Sequence, residues 1–147
     1  MSGHRDFFWA WLAATVLGGL PSTLYALATG ADATEPTRAA GAMLLPGETS
    51  LAKLVAGAAV VHCAVSLFWA TLLWLVLPAR HLVFWSMLAS AAIAVLDLRI
   101  IAPAYFPEVA ALEFWPQFAD HLMWGACFGA VLARRRSGRT PLTKQPG

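Results

Sequence analysis

The sequence predicts an all-α integral membrane protein, a four-helix bundle with both termini in the cytoplasm, and three observations lead to this prediction. Hydrophobic residues make up 59% of the 147 residues and charged residues only 12%, about half the charged fraction of a soluble domain. The mean hydropathy of +0.65 leaves too little polar surface to cover a fold in water. The apolar residues also fall into four stretches, each long enough to cross the ~30 Å hydrocarbon core as a helix.

The four stretches are predicted to be spanning helices, because a helix satisfies its own backbone hydrogen bonds in lipid. Together they form one predicted domain. The domain covers residues 1–133. The basic residues 134–147 that follow are predicted to be a disordered cytoplasmic tail. The predicted spans are about residues 7–28, 51–77, 81–102 and 116–133.

The first span contains signals for a kink and for a second interpretation. Gly18, Gly19 and Pro21 interrupt it, and because proline removes a helix hydrogen bond, a kink is expected there. The Ala-Leu-Ala sequence at residues 26–28 would suit cleavage of a signal peptide. The apolar stretch is long for a signal peptide and its charged N-terminal region is short. We therefore expect the span to be retained, with cleavage as the alternative.

The connections carry turn and interface signals. Residues 35–44 are predicted to form a short helix on the membrane surface, with an irregular loop as the alternative. Residues 103–115 hold aromatic side chains typical of the membrane interface. The turn at residues 78–80 is so short that spans two and three are expected to be antiparallel neighbours.

Basic residues set the expected orientation. Seven Arg and Lys residues lie before the first span, between spans two and three or after span four, against three on the other side. Because such residues are retained on the cytoplasmic side, both termini are predicted to be cytoplasmic. The run Arg134-Arg135-Arg136 is interpreted as an anchor at anionic headgroups rather than as a nucleic-acid site. The lipid bilayer is the expected surrounding, and no nucleic-acid partner is expected.

Small residues recur at helix spacing in three spans. Such rows let helix backbones approach closely. They could serve packing within the bundle or a homo-oligomer, and we expect packing within the bundle because four helices must bury a face against one another. The rows are Ala10, Ala14 and Gly18 in the first span, Ser86, Ser90 and Ala94 in the third, and Gly125, Gly129 and Ala133 in the fourth.

Five polar or charged side chains lie within or at the edges of the predicted spans: His62, Asp97, Arg99, Asp120 and His121. Charge in hydrocarbon is costly unless it is paired or hydrated, so such residues point to a functional or assembly site. The topology places all five in the external half of the bundle. Asp97 and Arg99 point to different helix faces. Arg99 is therefore expected to pair with Asp120 or Glu113, and Asp97 could accept a hydrogen bond from either histidine.

Several chemistries would use these residue types. Asp and His side chains facing a wet cavity could relay protons, as in transporters. If they converged, they could ligate zinc or another divalent metal, and the two histidines could be paired haem ligands. No metal or haem is predicted, and both are kept as alternatives. The metal-ligand candidates are His62, Asp97, Asp120 and His121.

A structural role is the competing interpretation of the same residues. Asp120 and His121 would then cap the fourth helix and favour its positive end. Arg99 would extend toward the headgroups, and His62 would be a hydrogen-bonded packing residue.

Three short segments carry a resemblance to known sequences. They are residues 21–30 (PSTLYALATG), 37–41 (TRAAG) and 118–122 (FADHL). On these segments the chain resembles a group of small, uncharacterised four-span bacterial inner-membrane proteins, over about residues 18–132. The resemblance implies a bacterial inner-membrane location and the four-helix layout. It implies no activity, because that group has no established function.

The sequence favours a non-enzymatic function. It contains no phosphate-binding loop, zinc-protease motif or nucleophile elbow, and Cys63 and Cys127 lack the spacing of a redox pair. The leading hypothesis is a small accessory or scaffold protein whose buried charges fix helix packing or hold a partner membrane protein. The alternatives are a transporter or channel component that uses Asp97 and His62, and a membrane-embedded metal or haem site.

Overall fold

The computed structural model describes residues 2–137, and every regular element in that range is helical, in agreement with the predicted all-α class. Four helical stretches are long, and shorter helices form the connections between them. The elements are α1 (Ser2–Leu17), α2 (Leu20–Thr29), α3 (Glu35–Ala42), α4 (Leu51–Val76), α5 (Leu82–Leu96), a π segment (Asp97–Ile101), α6 (Ala102–Tyr105), α7 (Pro107–Ala110) and α8 (Phe114–Ser137).

Three helical stretches are long and apolar enough to cross a membrane. They are Gly3–Thr29, which joins α1 and α2, Leu51–Val76 and Leu82–Tyr105. α8 has a similar length of 24 residues, but it is more polar because it contains Asp120 and basic residues in its last turn. It continues through these arginines to Ser137, where the sequence predicts a disordered tail. Residues 138–147 of that tail lie outside the described residues.

α8 lies between α1 and α5 and runs antiparallel to both. Its approach to α5 is close because small residues face each other. A Cβ atom at Gly129 would lie 2.7 Å from the Cα atom of Val83, and one at Gly125 would collide with the Ser90 hydroxyl. The small-residue rows of spans three and four therefore pack against each other within the chain.

α4 packs against α1 and α3 rather than along α5. A Cβ atom at Gly41 would overlap the backbone of Leu54, and one at Gly57 would lie 3.2 Å from the Gly41 carbonyl oxygen. The turn at residues 78–80 joins α4 to α5 without packing them together along their lengths, which corrects the expectation that they are close neighbours. The long helices thus contact one another in the order α4, α1, α8, α5, which we call the arc.

α3 covers one end of the arc, which we call the loop end. Its Ala39 and Gly41 are buried, because α3 packs onto α4 and α7. The predicted short helix is therefore confirmed, and its location at the membrane surface stays a prediction. Asp32 lies just before α3, and its carboxylate accepts hydrogen bonds from the Thr34 amide at 2.8 Å and hydroxyl at 2.7 Å. These bonds and the Arg38 guanidinium, 2.6 Å away, hold the pKa of Asp32 below its ordinary value.

The opposite end of the arc, which we call the terminal end, joins α1 to α8. Asp6 is 3% exposed, and its carboxylate lies 3.6 Å from the Arg135 guanidinium. That guanidinium also lies 5.6 Å from the centroid of the Trp9 ring. Because a buried charge is strongly destabilising when its partner is removed, this ion pair ties the two helix ends together.

An apolar plug fills the arc toward the terminal end. All of its members are fully buried, and Phe128 stacks on the Trp124 ring with 5.4 Å between the centroids. Close packing of such side chains leaves no room for water. The plug consists of Ala10, Ala14, Ala70, Phe128 and Leu132.

Replacing Gly129 with alanine should destabilise the protein, because the new methyl group would meet backbone atoms of Leu82 and Val83 at less than 3 Å. Overpacking of this kind costs about 1–3 kcal/mol. Gly19→Ala is the matched control, since a Cβ atom there meets nothing within 4 Å. Unfolding in mixed micelles, followed by circular dichroism, should separate the two variants. Equal stabilities would contradict the close packing of α5 on α8.

Candidate functional site

A break in the first membrane helix organises the site. The helix is interrupted at Gly18 and Gly19, between α1 and α2, which is the position of the predicted kink. A Cβ atom at Gly18 would lie 3.1 Å from Cβ of Trp124, so the close approach of α8 favours glycine. Pro21, in the first turn of α2, has no amide hydrogen to donate. The break leaves backbone groups without partners in their own helix, which is costly in a membrane.

Side chains from two other helices satisfy the freed backbone groups. The Thr15 carbonyl oxygen, which an unbroken helix would pair with the Gly19 amide, accepts a hydrogen bond of 2.8 Å from Nε2 of His62 on α4. The Ser22 amide donates to Oδ1 of Asp120 on α8, also at 2.8 Å. Because a carbonyl oxygen only accepts, Nε2 of His62 carries the proton. Two of the five predicted site residues therefore cap the break from its two sides.

Hydroxyl groups extend this network one helix turn toward the terminal end. Oγ of Ser66 accepts a hydrogen bond of 2.8 Å from the Trp124 indole and lies 2.6 Å from the Thr15 hydroxyl. The three side chains link α4, α8 and α1. Sequence reasoning missed Thr15 and Ser66, because a lone hydroxyl in an apolar span is common. The available signal was the four-residue spacing of His62 and Ser66, which places both on one face of α4.

His121 and Asp97 lie side by side on α8 and the π segment. Nδ1 of His121 donates to the Gln117 carbonyl oxygen at 2.8 Å. Nε2 then faces Oδ2 of Asp97 at 3.5 Å. Of the two partners expected for Asp97, His121 lies beside it and His62 is used at the break.

The π segment carries Asp97 into this position. Pro103 has no amide hydrogen for the Arg99 carbonyl, and the helix widens just before it. The Ala102 amide bonds to the Asp97 carbonyl five residues earlier, which is the π pattern. Such wide turns occur often at functional sites. Pro103 was the sequence signal available for this feature.

Arg99 lies outside the group of side chains around the break. Its exposed guanidinium is 4.2 Å from the centroid of the Phe114 ring. Within residues 2–137 it forms no ion pair with Asp120 or Glu113, so the predicted pairing is wrong. The physical reason is that Arg99 lies over the Phe114 ring, away from the cavity wall that carries Asp120. A guanidinium over an aromatic ring at a helix end suits an extension toward headgroups.

A cavity of about 460 Å³ lies inside the arc, between the plug and the loop end. At the loop end, side chains of α3 and of the connection after the π segment cover the cavity. At the other end Trp124 forms its floor, and Phe128 of the plug lies one helix turn further along α8. Its open side is the gap between α4 and α5, the two ends of the arc. Four of the five predicted site residues line it, and Arg99 does not. The four are His62, Asp97, Asp120 and His121.

The four lining residues do not form a metal centre. Among residues 2–137, no group of three or more His, Cys, Asp or Glu side chains is placed to hold a metal ion. Each of the two histidines also uses one ring nitrogen on a backbone carbonyl. Cys63 and Cys127 are free thiols on different helices. The candidates share one cavity wall without converging on one point.

Comparison with family models, curated proteins and solved structures finds no match to this chain. The resemblance to four-span bacterial inner-membrane proteins therefore stays a prediction. The break, the His121–Asp97 pair and the cavity are the features that bear on function.

Asp120→Leu should lower the free energy of unfolding by about 1–2 kcal/mol, because it leaves the Ser22 amide without an acceptor. Asp120→Asn is the matched control, since its amide oxygen can accept the same hydrogen bond. Hydrogen exchange at the Ser22 amide should accelerate in the leucine variant and stay slow in the asparagine variant. Fast exchange in both would show that this cap does not depend on an oxygen at position 120.

Proposed function

We propose that the chain is a four-span protein of a bacterial inner membrane, with both termini in the cytoplasm, and that it acts as a non-enzymatic accessory or scaffold protein. The use of His62 and Asp120 to cap the helix break carries this proposal. Side chains bonded to backbone groups hold the shape of the helices and are not free to move protons or solutes. A bundle of fixed shape suits a protein that positions another membrane component.

The dimensions and packing of α8 support a fourth span. Its 24 residues correspond to about 36 Å at 1.5 Å per residue, enough to cross the hydrocarbon core. α8 runs antiparallel to α1, because Ser22 meets Asp120 near one end and Asp6 meets Arg135 near the other. A helix packed along two spans has the same depth as those spans.

The charge distribution supports a cytoplasmic terminal end. The Arg136 guanidinium lies 5.5 Å from the centroid of the Trp74 ring, so the last turns of α8 and α4 are at the same level. Arg5 and Arg80 belong to the same end by their positions in α1 and after α4. This clustering matches the retention of basic residues on the cytoplasmic side.

The packing of α1 supports its retention in the mature protein. Removal of the first 28 residues would take away Asp6 and leave Arg135 without its buried partner. It would also remove the break that His62 and Asp120 cap. The signal-peptide alternative would therefore leave three polar side chains without their contacts.

The plug weighs against the alternative of a transporter or channel. A conducting path from the cavity to the terminal end would have to pass Phe128 and Leu132, which are fully buried among alanines of α1 and α4. The metal or haem alternative needs ligands that converge, and the four candidates among the described residues do not.

Reporter fusions should show both ends of the chain in the cytoplasm. Green fluorescent protein fused after Gly147 should fluoresce, whereas alkaline phosphatase fused there should be inactive. The matched control is the same pair of reporters placed after Gly47, in the connection between α3 and α4, where the result should reverse. Phosphatase activity after Gly147 would contradict the proposed four-span topology.

Substitution at His62 should change stability without changing ion flux. His62→Phe leaves the Thr15 carbonyl without its donor, which should cost about 1–2 kcal/mol of unfolding free energy. Cys63→Phe is the control, because Cys63 is a neighbouring exposed position on the same helix. Proton flux into proteoliposomes under an imposed potential should equal that of protein-free vesicles for the wild type, His62→Phe and Asp97→Asn. Wild-type flux above this level that either variant abolishes would favour the transporter.

A further inference from the structure

The side of the cavity formed by α5 and α8 carries polar side chains, and we call it the polar pole. Ser90, Asp97 and His121 all contribute to its wall. Nε2 of His121 lies 3.5 Å from Oδ2 of Asp97, and neither side chain bonds the helix break. This pole therefore presents polar atoms to the cavity that the break does not use.

Ser90 supplies the hydrogen-bond donor of this pole. Its side chain is 1% exposed, and its hydroxyl has no hydrogen-bond partner among residues 2–137. A buried hydroxyl without a partner costs free energy comparable to a lost hydrogen bond. An acceptor atom supplied from the cavity would satisfy it.

The wall formed by α4 and the facing part of α5 is mostly apolar. Val65, Phe68 and Trp69 of α4 face Ile93 of α5 across the cavity, and the opening lies in the gap between these two helices. Phe68 is 56% exposed at that gap. In a membrane this opening faces hydrocarbon, so a molecule that enters through it must be dissolved in the bilayer.

We infer that the cavity binds an uncharged, membrane-dissolved molecule whose compact ring carries a carbonyl oxygen, the chemistry of a lipid-soluble quinone. The carbonyl would accept a hydrogen bond at the polar pole from the Ser90 hydroxyl. The ring would pack among the aromatic and branched side chains of α4 and α5, and an alkyl tail would leave through the gap. Pockets of about 300–1,000 Å³ with few polar groups commonly bind such molecules. This binding function goes beyond the scaffold role proposed above.

Calorimetric titration of the full chain in lipid nanodiscs, with empty nanodiscs subtracted, tests the inference. Decylubiquinone is the probe, and decylbenzene is the matched compound that has a ring and a tail but no carbonyl. We expect saturable one-site binding of decylubiquinone and binding of decylbenzene that is weaker by at least about tenfold. No saturable binding, or equal binding of the two compounds, would overturn the inference. Tighter binding of tetraphenylphosphonium would show a site for lipophilic cations instead.

Two tryptophan substitutions on α4 locate the binding. Val65→Trp fills the cavity and should weaken decylubiquinone binding about tenfold or more. Val60→Trp places the same side chain at a position that is 59% exposed and outside the cavity wall, and it should leave binding unchanged. Equal effects of the two variants, with equal thermal unfolding midpoints, would show that the probe binds elsewhere.

Ser90→Ala tests the polar pole without adding volume. The smaller side chain adds no atoms where α5 approaches Gly125 of α8, so folding should be preserved even if Val65→Trp fails to fold. Loss of one hydrogen bond should weaken decylubiquinone binding about 2- to 10-fold and leave decylbenzene unaffected. Unchanged affinity for decylubiquinone would remove Ser90 from the site. Neither result depends on the flux or stability assays of the scaffold proposal.

Discussion

The structure depends on satisfying the backbone groups that a helix break exposes in apolar surroundings. The break at Gly18 and Gly19 frees the Thr15 carbonyl and the Ser22 amide, and water is not present in hydrocarbon to bond them. His62 and Asp120 supply the missing partners from α4 and α8. These two bonds fix the positions of α4 and α8 relative to the break. The position of α4, apart from α5, then leaves the cavity between them.

The polar side chains divide into two groups with different consequences. His62 and Asp120 at the break each bond one backbone group, and these bonds hold both side chains in place. The second group is Ser90, whose hydroxyl has no hydrogen-bond partner within residues 2–137, together with the His121–Asp97 pair on the same cavity wall. Ligand binding would use that second group, while the first keeps the walls in place. A scaffold role and a binding role are therefore compatible within one small chain.

Composition and periodicity were sufficient to predict the helical membrane class, the position of the break and the packing of small residues between α5 and α8. They also placed four of the five polar side chains near one cavity. Individual pairings could not be predicted, because a sequence does not show that Asp120 accepts from a backbone amide of α2 while Arg99 lies over an aromatic ring. Asp6 was passed over because its partner, Arg135, lies at the other end of the described chain. The placement of α3 on α4 depends on glycine contacts that hydropathy does not detect.

The helices are synthesised in sequence, so the hydrogen bond that caps the Ser22 amide can form only late in synthesis. The amide and the Asp120 carboxylate are 98 residues apart in the chain, so the broken first helix enters the bilayer long before its partner exists. During that interval the exposed amide must rely on lipid headgroups, water or the insertion machinery. Arrival of the last helix supplies both this acceptor and the Arg135 partner of Asp6. A chain that stalls before α8 would therefore leave the Ser22 amide of its first helix without this acceptor, a polar defect that membrane quality control could recognise as a sign of incomplete synthesis.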